Sequence, residues 1–179
     1  MKFYMMDLCG VYMIAYRDLP HTIAYTNDES ETLNLLDSVY SLIIGRLKRL
    51  SVDRTGDFPA IWIIIDGFES LYFSYKKRAE SIIALILSKG KIANVHLVLF
   101  SSYTKSAGGI DELFPSHGIF NGVEIATAKL HRITRSKITT APNEVIYKNA
   151  DGICTKVRIP TISENTIRER VNWWKNQCK

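Results

Sequence analysis

The sequence predicts an α/β fold built on a mostly parallel central sheet. Three observations carry this. Ile61-Trp62-Ile63-Ile64-Ile65 and Val95-His96-Leu97-Val98-Leu99-Phe100 are almost continuous apolar runs, the pattern of strands covered on both faces. Stretches with helical apolar spacing separate consecutive runs, so right-handed strand–helix–strand units are the economical arrangement. The chain has 179 residues, 46% apolar and 23% charged, which is one ordinary globular domain. Residues 1–179 are therefore expected to form a single domain.

The elements follow in order. Lys2 to Leu8 is a short apolar segment with an acid, Asp7, near its carboxyl end. Leu19-Pro20-His21-Thr22 is a turn, and Ile23 to Tyr25 fits a second short strand. Asn27-Asp28-Glu29-Ser30-Glu31 supplies capping and acidic residues for a helix start. Leu36, Val39, Ile43, Leu47 and Leu50 then recur at three and four residues, and the basic end Arg46, Lys48, Arg49 suits the negative pole of the helix.

Ala60 to Asp66 is the strongest strand signal. A helix is predicted from about Ser74 to Lys89, with its core face at Ile82, Ile83, Leu85 and Ile86, closed by Gly90. Val95 to Phe100 is the next buried strand, ending at Ser101-Ser102. Ala107-Gly108-Gly109 reads as a loop and Asn121 to Ala126 as a further strand. Glu144 to Tyr147 and Thr155 to Ile159 form a hairpin about Asn149-Ala150-Asp151-Gly152. Thr161-Ile162-Ser163-Glu164 fits a capping box for a closing helix with Ile167, Val171 and Trp174 on its core face.

Composition excludes several classes. No apolar run approaches the ~20 residues that span a bilayer, and Asp7 comes too early for a signal-peptide core. The expected setting is cytoplasmic. Cys9, Cys154 and Cys178 have no CxxC spacing, so neither a disulfide framework nor a cysteine zinc site is expected. His21, His96, His117 and His131 show no metal-ligand spacing, so no metal site is expected. A net charge of +5 permits attraction to nucleic acid or anionic lipid without requiring it.

Asp66 is the most informative residue. Ligands of parallel α/β sheets bind beyond the carboxyl ends of the strands, and an acid ending a buried strand holds Mg²⁺ in phosphate-handling proteins. The alternative is an Asp that caps the next helix or satisfies a turn. Ser101 and Ser102 end the neighbouring strand, either as polar sensor residues or as a strand-end turn. The sequence holds no G-x-x-x-x-G-K-[ST] loop to cradle phosphates, and Gly67 stands where a hydrolase places a Glu to position water. Glu69 could in principle substitute for that Glu, but it lies three residues beyond Asp66 and is expected to face elsewhere. Autonomous ATP hydrolysis is not expected.

Lys76-Lys77-Arg78 would open a helix, an unfavourable place for positive charge. It is either a solvated face or a surface for an acidic partner or neighbouring subunit. Arg132, Arg135 and Lys137 form a second basic stretch with the same two readings. Trp174 is expected in the core, and Trp173 is a partly exposed contact candidate.

The order of these segments resembles the RecA-like motor domain of the FtsK/SpoIIIE superfamily. It is most like the degenerate C-terminal module of the type VII secretion ATPase (EssC/YukB type). Phe3-Tyr4-Met5-Met6-Asp7 resembles the strand after the phosphate-loop helix, and Leu19-Pro20-His21 the family's Pro-His turn. The Leu33 to Arg49 helix is similar to the one before the second nucleotide motif. Ile61 to Asp66 with Gly67-Phe68-Glu69 resembles a degenerate form of that motif, and Val95 to Ser102 the sensor strand. The hairpin over Val145 to Pro160 is similar to the closing segment.

The resemblance implies a three-layer RecA-like sandwich whose phosphate-loop part is missing or degenerate. It implies a non-hydrolytic or weakly nucleotide-binding terminal module that recognises exported substrates or regulates the motor. Asp66, Ser101 and Ser102 would be the relic nucleotide site, binding ATP and Mg²⁺ at most weakly. Lys76, Lys77, Arg78 and Trp173 would be partner-binding residues. The implied partners are an exported helical protein and other ATPase modules of the same chain, with a membrane reached only through the parent protein. The alternative is part of an active DNA-translocating ATPase of the same superfamily, with DNA as partner.

Overall fold

A computed structural model describes residues 1–53, 56–101, 113–120, 141 and 143–177. Ser102, the loop at Gly108-Gly109, the strand expected over Asn121–Ala126, the basic stretch Arg132, Arg135, Lys137 and Cys178 lie outside the described residues. The chain divides into two compact units, Met1–Ile110 with Glu164–Lys179, and Asp111–Ser163.

The first unit is built on four parallel strands: β1 (Lys2–Asp7), β2 (Thr22–Thr26), β3 (Ile61–Asp66) and β4 (Val95–Phe100), in the order β2-β1-β3-β4. The register is uninterrupted across the three longer strands. Lys2, Ile61 and Val95 form one row, and Asp7, Asp66 and Phe100 the last. The two central strands, β1 and β3, therefore both end in an acid.

Helix α1 (Glu29–Val52) links β2 to β3, and α2 (Phe68–Lys89) links β3 to β4. Both connections step the same way across the sheet, and the two helices pack against each other, as expected for right-handed crossovers laid on one face. Asp28 caps α1, its side chain accepting from Glu31 N–H at 2.8 Å. Thr26 Oγ1 donates to Glu31 Oε2 at 2.5 Å and accepts from Asp28 N–H at 3.1 Å, which fixes the strand-to-helix corner.

Burial along β3 alternates. Ile61, Ile63 and Ile65 are buried, while Trp62, Ile64 and Asp66 are only half-buried. Both faces are covered, as expected, but unevenly: Ile63 and Ile65 are fully buried, as are Met6, Leu36, Val39, Ile43, Ile83 and Ile86 in the same unit. On the other face, Trp62 stacks on His96 at 4.7 Å between ring centres. A continuous apolar run signals burial but cannot say how completely each face is closed.

Helix α1 has a core stripe that differs from the periodic reading. Leu36, Val39 and Ile43 are buried, but Leu47 and Leu50 are half-buried and Arg46 takes the next inward position. Its Nη1 donates to Ala93 O at 2.7 Å and Asn94 O at 3.4 Å, and the guanidinium lies 5.0 Å over the Phe58 ring. Burial lowers the Arg46 pKa from its ordinary value. Asn94 adopts φ +53° and its side-chain N–H donates to Phe58 O at 2.8 Å. The start of β4 is therefore held by polar contacts that apolar periodicity does not report.

Helix α2 starts six residues earlier than predicted because its first turns are continuous with Gly67. A break at Tyr75 (φ −135°, ψ 35°) divides it near the predicted start. Ile82, Ile83 and Ile86 are buried and Leu85 half-buried. Gly90 closes it where a Cβ would lie 2.4 Å from Ile86 O and 2.6 Å from Val95 O, so only glycine fits between the helix end and the β4 entry.

Helix α3 (Glu164–Gln177) belongs to the first unit and leans on a 3-10 turn at Ile14–Tyr16. Val171 is its buried residue, whereas Trp174 is 44% exposed, so Trp174 is not the core residue its spacing suggested. It instead meets the His21 ring edge-on at 5.3 Å, and Lys175 reaches Asp18 at 3.1 Å.

The second unit carries an antiparallel sheet of β5 (His117–Ile119), β6 (Glu144–Lys148) and β7 (Cys154–Arg158). The hairpin between β6 and β7 forms where predicted. Asn149 Oδ1 accepts from Asp151 N–H and Ile153 N–H at 3.1 and 2.9 Å, the local bonding that makes Asn a turn residue. Among the described residues, no helix is long and apolar enough to cross a membrane.

Candidate functional site

The carboxyl ends of β1 and β3 bring Asp7 and Asp66 into direct register. In a parallel pair such neighbours share one face. Asp7 is fully buried. Its Oδ1 accepts from Gly10 N–H at 3.0 Å, and its Oδ2 from Met13 N–H at 2.9 Å and Tyr25 O–H at 3.4 Å. Those bonds fold the chain after β1 back over the sheet edge. Asp7 is therefore committed to structure.

Asp66 keeps access to solvent. Burial, with the negative charges of Asp7 and Glu69 beside it, raises its carboxyl above the ordinary value against the opposing Gly67 N–H bond. The Cys9 thiol is likewise raised, by burial first and then by Asp66, Glu69 and Asp7. Tyr25 is raised by burial and by Asp7. The edge thus gathers the carboxylates of Asp7, Asp66 and Glu69, which disfavour another anion, against the smaller opposing pull of the Gly67 N–H and Arg17.

Glu69 stands in this group. Its Oε2 accepts from Ser101 Oγ at 2.8 Å, which joins the start of α2 to the end of β4. The expectation that Glu69 faces elsewhere is overturned. The first turn of α2 begins at Phe68, so Glu69 lies in it and turns back toward the sheet edge. Asp7 and Glu69, both visible in the sequence, are the residues that pattern reading did not assign to this site. An acid ending each of two neighbouring apolar runs was the available signal.

Of the expected nucleotide residues, Asp66 and Ser101 share this edge, and Ser102 lies outside the described residues. Among the described residues, no three His, Cys, Asp or Glu side chains converge as a metal site. Mg²⁺ ordinarily uses one or two carboxylates together with substrate phosphates. Asp66, with Asp7 already taken, supplies a single carboxylate of that kind. That fit is partial, and no step is derived through the ion.

The expected partner residues lie on separate elements. Lys76, Lys77 and Arg78 are exposed just past the break in α2. They follow the kink at Tyr75 and so open the second helical segment, as the sequence predicts, where positive charge is unfavourable. Arg78 Nη2 pairs with Asp37 of α1, and Lys76 Nζ lies 5.4 Å over the Tyr72 ring. Trp173 is 49% exposed on α3 and meets Trp174 edge-on at 4.9 Å.

The four-stranded parallel sheet, its two crossover helices and an acid ending the middle strand make the fold that of a RecA-like ATPase module. Structural matches are found to modules of type VII secretion ATPases. For the cytoplasmic domain of EccC from Thermomonospora curvata, the match has a TM-score of 0.75 at 17% identity and covers 97% of this chain and 24% of that one. EssC (ATPases 2 and 3) from Geobacillus thermodenitrificans matches with a TM-score of 0.78 at 13% identity, covering 99% and 37%. The pCW3 conjugation coupling protein TcpA, with ATPγS, matches with a TM-score of 0.73 at 14% identity, covering 99% and 57%. A second Thermomonospora curvata EccC structure (ATPases 2 and 3), in complex with a signal sequence peptide, matches with a TM-score of 0.58 at 18% identity, covering 98% and 36%.

At these identities the likeness is one of fold. The chain spans between about a quarter and under three fifths of the length of these four structures. No family model matches the sequence, and no curated protein does.

Proposed function

We propose that residues 1–179 form a single RecA-like module of a type VII secretion ATPase that binds nucleotide weakly or not at all. Its role is to recognise an exported protein or to regulate the motor. The observation that carries this is the state of the sheet edge. Asp66 stands at the place of the metal-holding acid, but Gly67 follows it and Asp7 is consumed by backbone hydrogen bonds. The surrounding carboxylates also oppose the arrival of a polyphosphate. The sequence contains no phosphate-cradling loop to offset that repulsion.

Recognition of an exported protein is supported by the likeness to an EccC structure that holds a signal sequence peptide. Exposed Trp173 on α3 supplies the kind of aromatic anchor that dominates protein interfaces. Lys76 and Lys77 offer positive charge to an acidic segment, and an amphipathic helix of the exported protein is the natural ligand. The module works in the cytoplasm, beside other ATPase modules of its parent protein, and meets a membrane only through that protein.

Titration of the protein with a helical signal peptide from a type VII substrate tests the reading. Saturable binding that Trp173→Ala weakens at least tenfold is expected. Binding unchanged by that substitution, or no binding at all, would remove the recognition role.

A second reading, part of an active DNA-translocating motor, is favoured by the likeness to a conjugation coupling protein and by the net charge of +5. It requires salt-dependent affinity for duplex DNA, with log K falling linearly as log salt rises.

A further inference from the structure

The passage from β3 into α2 turns on Gly67, whose φ of +78° and ψ of 36° lie in the left-handed region. A Cβ at this position would sit 2.9 Å from Cys9 Sγ, 3.3 Å from Cys9 N and 3.3 Å from Leu8 Cβ. Two obstacles to a side chain therefore coincide, one of conformation and one of space. The sulfur can swing about a single bond. The Cys9 backbone and Leu8 cannot retreat as easily, because Leu8 N–H donates to Asp66 O at 3.0 Å and Gly10 N–H is bound to Asp7.

Those bonds tie the exit of β1 to the exit of β3, and Cys9 lies across Gly67 as a result. We propose that the Cys9–Gly67 contact is an interlock that bars a water-activating acid from the position after Asp66. Restoring an acid at position 67 alone then cannot return this edge to hydrolysis, because its Cβ must displace Cys9 Sγ and crowd Cys9 N and Leu8 in a left-handed conformation, and its charge would join those of Asp66 and Glu69. The inference rests on the reading of Asp66 as the remnant of a nucleotide site. It gives that reading a physical content: the chain after β1 has closed over the place the acid would need.

A double-mutant cycle on thermal unfolding tests it, using Cys9→Ala, Gly67→Asn and the pair. Asn accepts the left-handed conformation better than other side chains, so this substitution reports mainly on space. Cys9→Ala is expected within about 2 °C of the parent, since removing an exposed thiol is a mild change. Gly67→Asn is expected to lower Tm by roughly 3–10 °C, the range for a strained backbone site in a domain of this size. In the pair, a part of that loss returns. Gly67→Glu is expected to show no ATP turnover and a loss at least as large.

The proposal is overturned if Gly67→Asn melts with the parent, if the two changes simply add, or if Gly67→Glu folds at the parent's Tm. The cycle uses neither nucleotide nor partner. Its failure leaves the recognition reading standing, and failure of peptide binding leaves the coupling between positions 9 and 67 untouched.

Discussion

Asp7 and Asp66 end adjacent parallel strands directly opposite one another, and only Asp7 is fully enclosed. Two backbone N–H groups and Tyr25 satisfy Asp7. Asp66 has the Gly67 N–H and faces the charge of its neighbour. One acid has become a structural anchor and the other bears the consequence.

That asymmetry predicts a pH-dependent gain from neutralising Asp66. Its carboxyl is raised in the folded chain, so the folded state holds this proton more tightly than the unfolded state does. The associated stability is fully present below the ordinary carboxylate range and is lost as pH rises through the raised value. Asp66→Asn should therefore melt above the parent at pH 7. The difference should close as pH falls below about 4. Melting curves of the two proteins across pH 4–8 check this.

Removing Asp7 should be costly. Asp7→Ala leaves the buried Met13 N–H without its acceptor and removes the side-chain bonds to Gly10 N–H and Tyr25 O–H, while Gly10 N–H keeps the backbone carbonyl of residue 7 at 2.8 Å. Loss of charge-assisted hydrogen bonds of this kind amounts to about 2–4 kcal/mol. Chemical denaturation measures it. The loop after β1 should also become more open to proteolysis.

Arg46 should prove to be a stability determinant despite its charge. Arg46→Ala removes the donors to Ala93 O and Asn94 O and the cover on Phe58, for a loss of about 2–4 kcal/mol. Arg46→Lys should recover only part, since a compact, strongly hydrated ammonium lacks the planar face that lies over the Phe58 ring. Denaturant midpoints of the three proteins give the order.

Gly90→Ala should destabilise more than an ordinary helix-end change. The added carbon meets two backbone oxygens, of Ile86 and Val95, at 2.4 and 2.6 Å, and neither can rotate away. A loss of about 2–4 kcal/mol is expected for such overpacking, read from the same denaturation assay.

Much of this architecture was legible in the sequence. Apolar runs ending in Asp7, Asp66 and Phe100 located β1, β3 and β4, and Asp28 announced α1. What stayed hidden was set by tertiary contact. Arg46 points inward because carbonyls at the β4 entry need a donor, which no periodicity encodes. Glu69 returns to the sheet edge because Gly67, in a left-handed conformation, starts α2 earlier than its apolar face begins. Trp174 matched a helical core spacing, yet the helix rests on little more than Val171 and a short turn, so the ring stays half in solvent. The candidate site was half legible: Asp66 stood out by position, while Asp7 and Glu69 gained meaning only when register brought them beside it.

If the proposed function holds, the sheet edge at Asp66 no longer runs a nucleotide cycle. Titration calorimetry with ATP and Mg²⁺, followed in the same sample by phosphate release, puts this to the test. Weak or absent binding with no release above background is expected. Tight ATP binding with measurable turnover would contradict it.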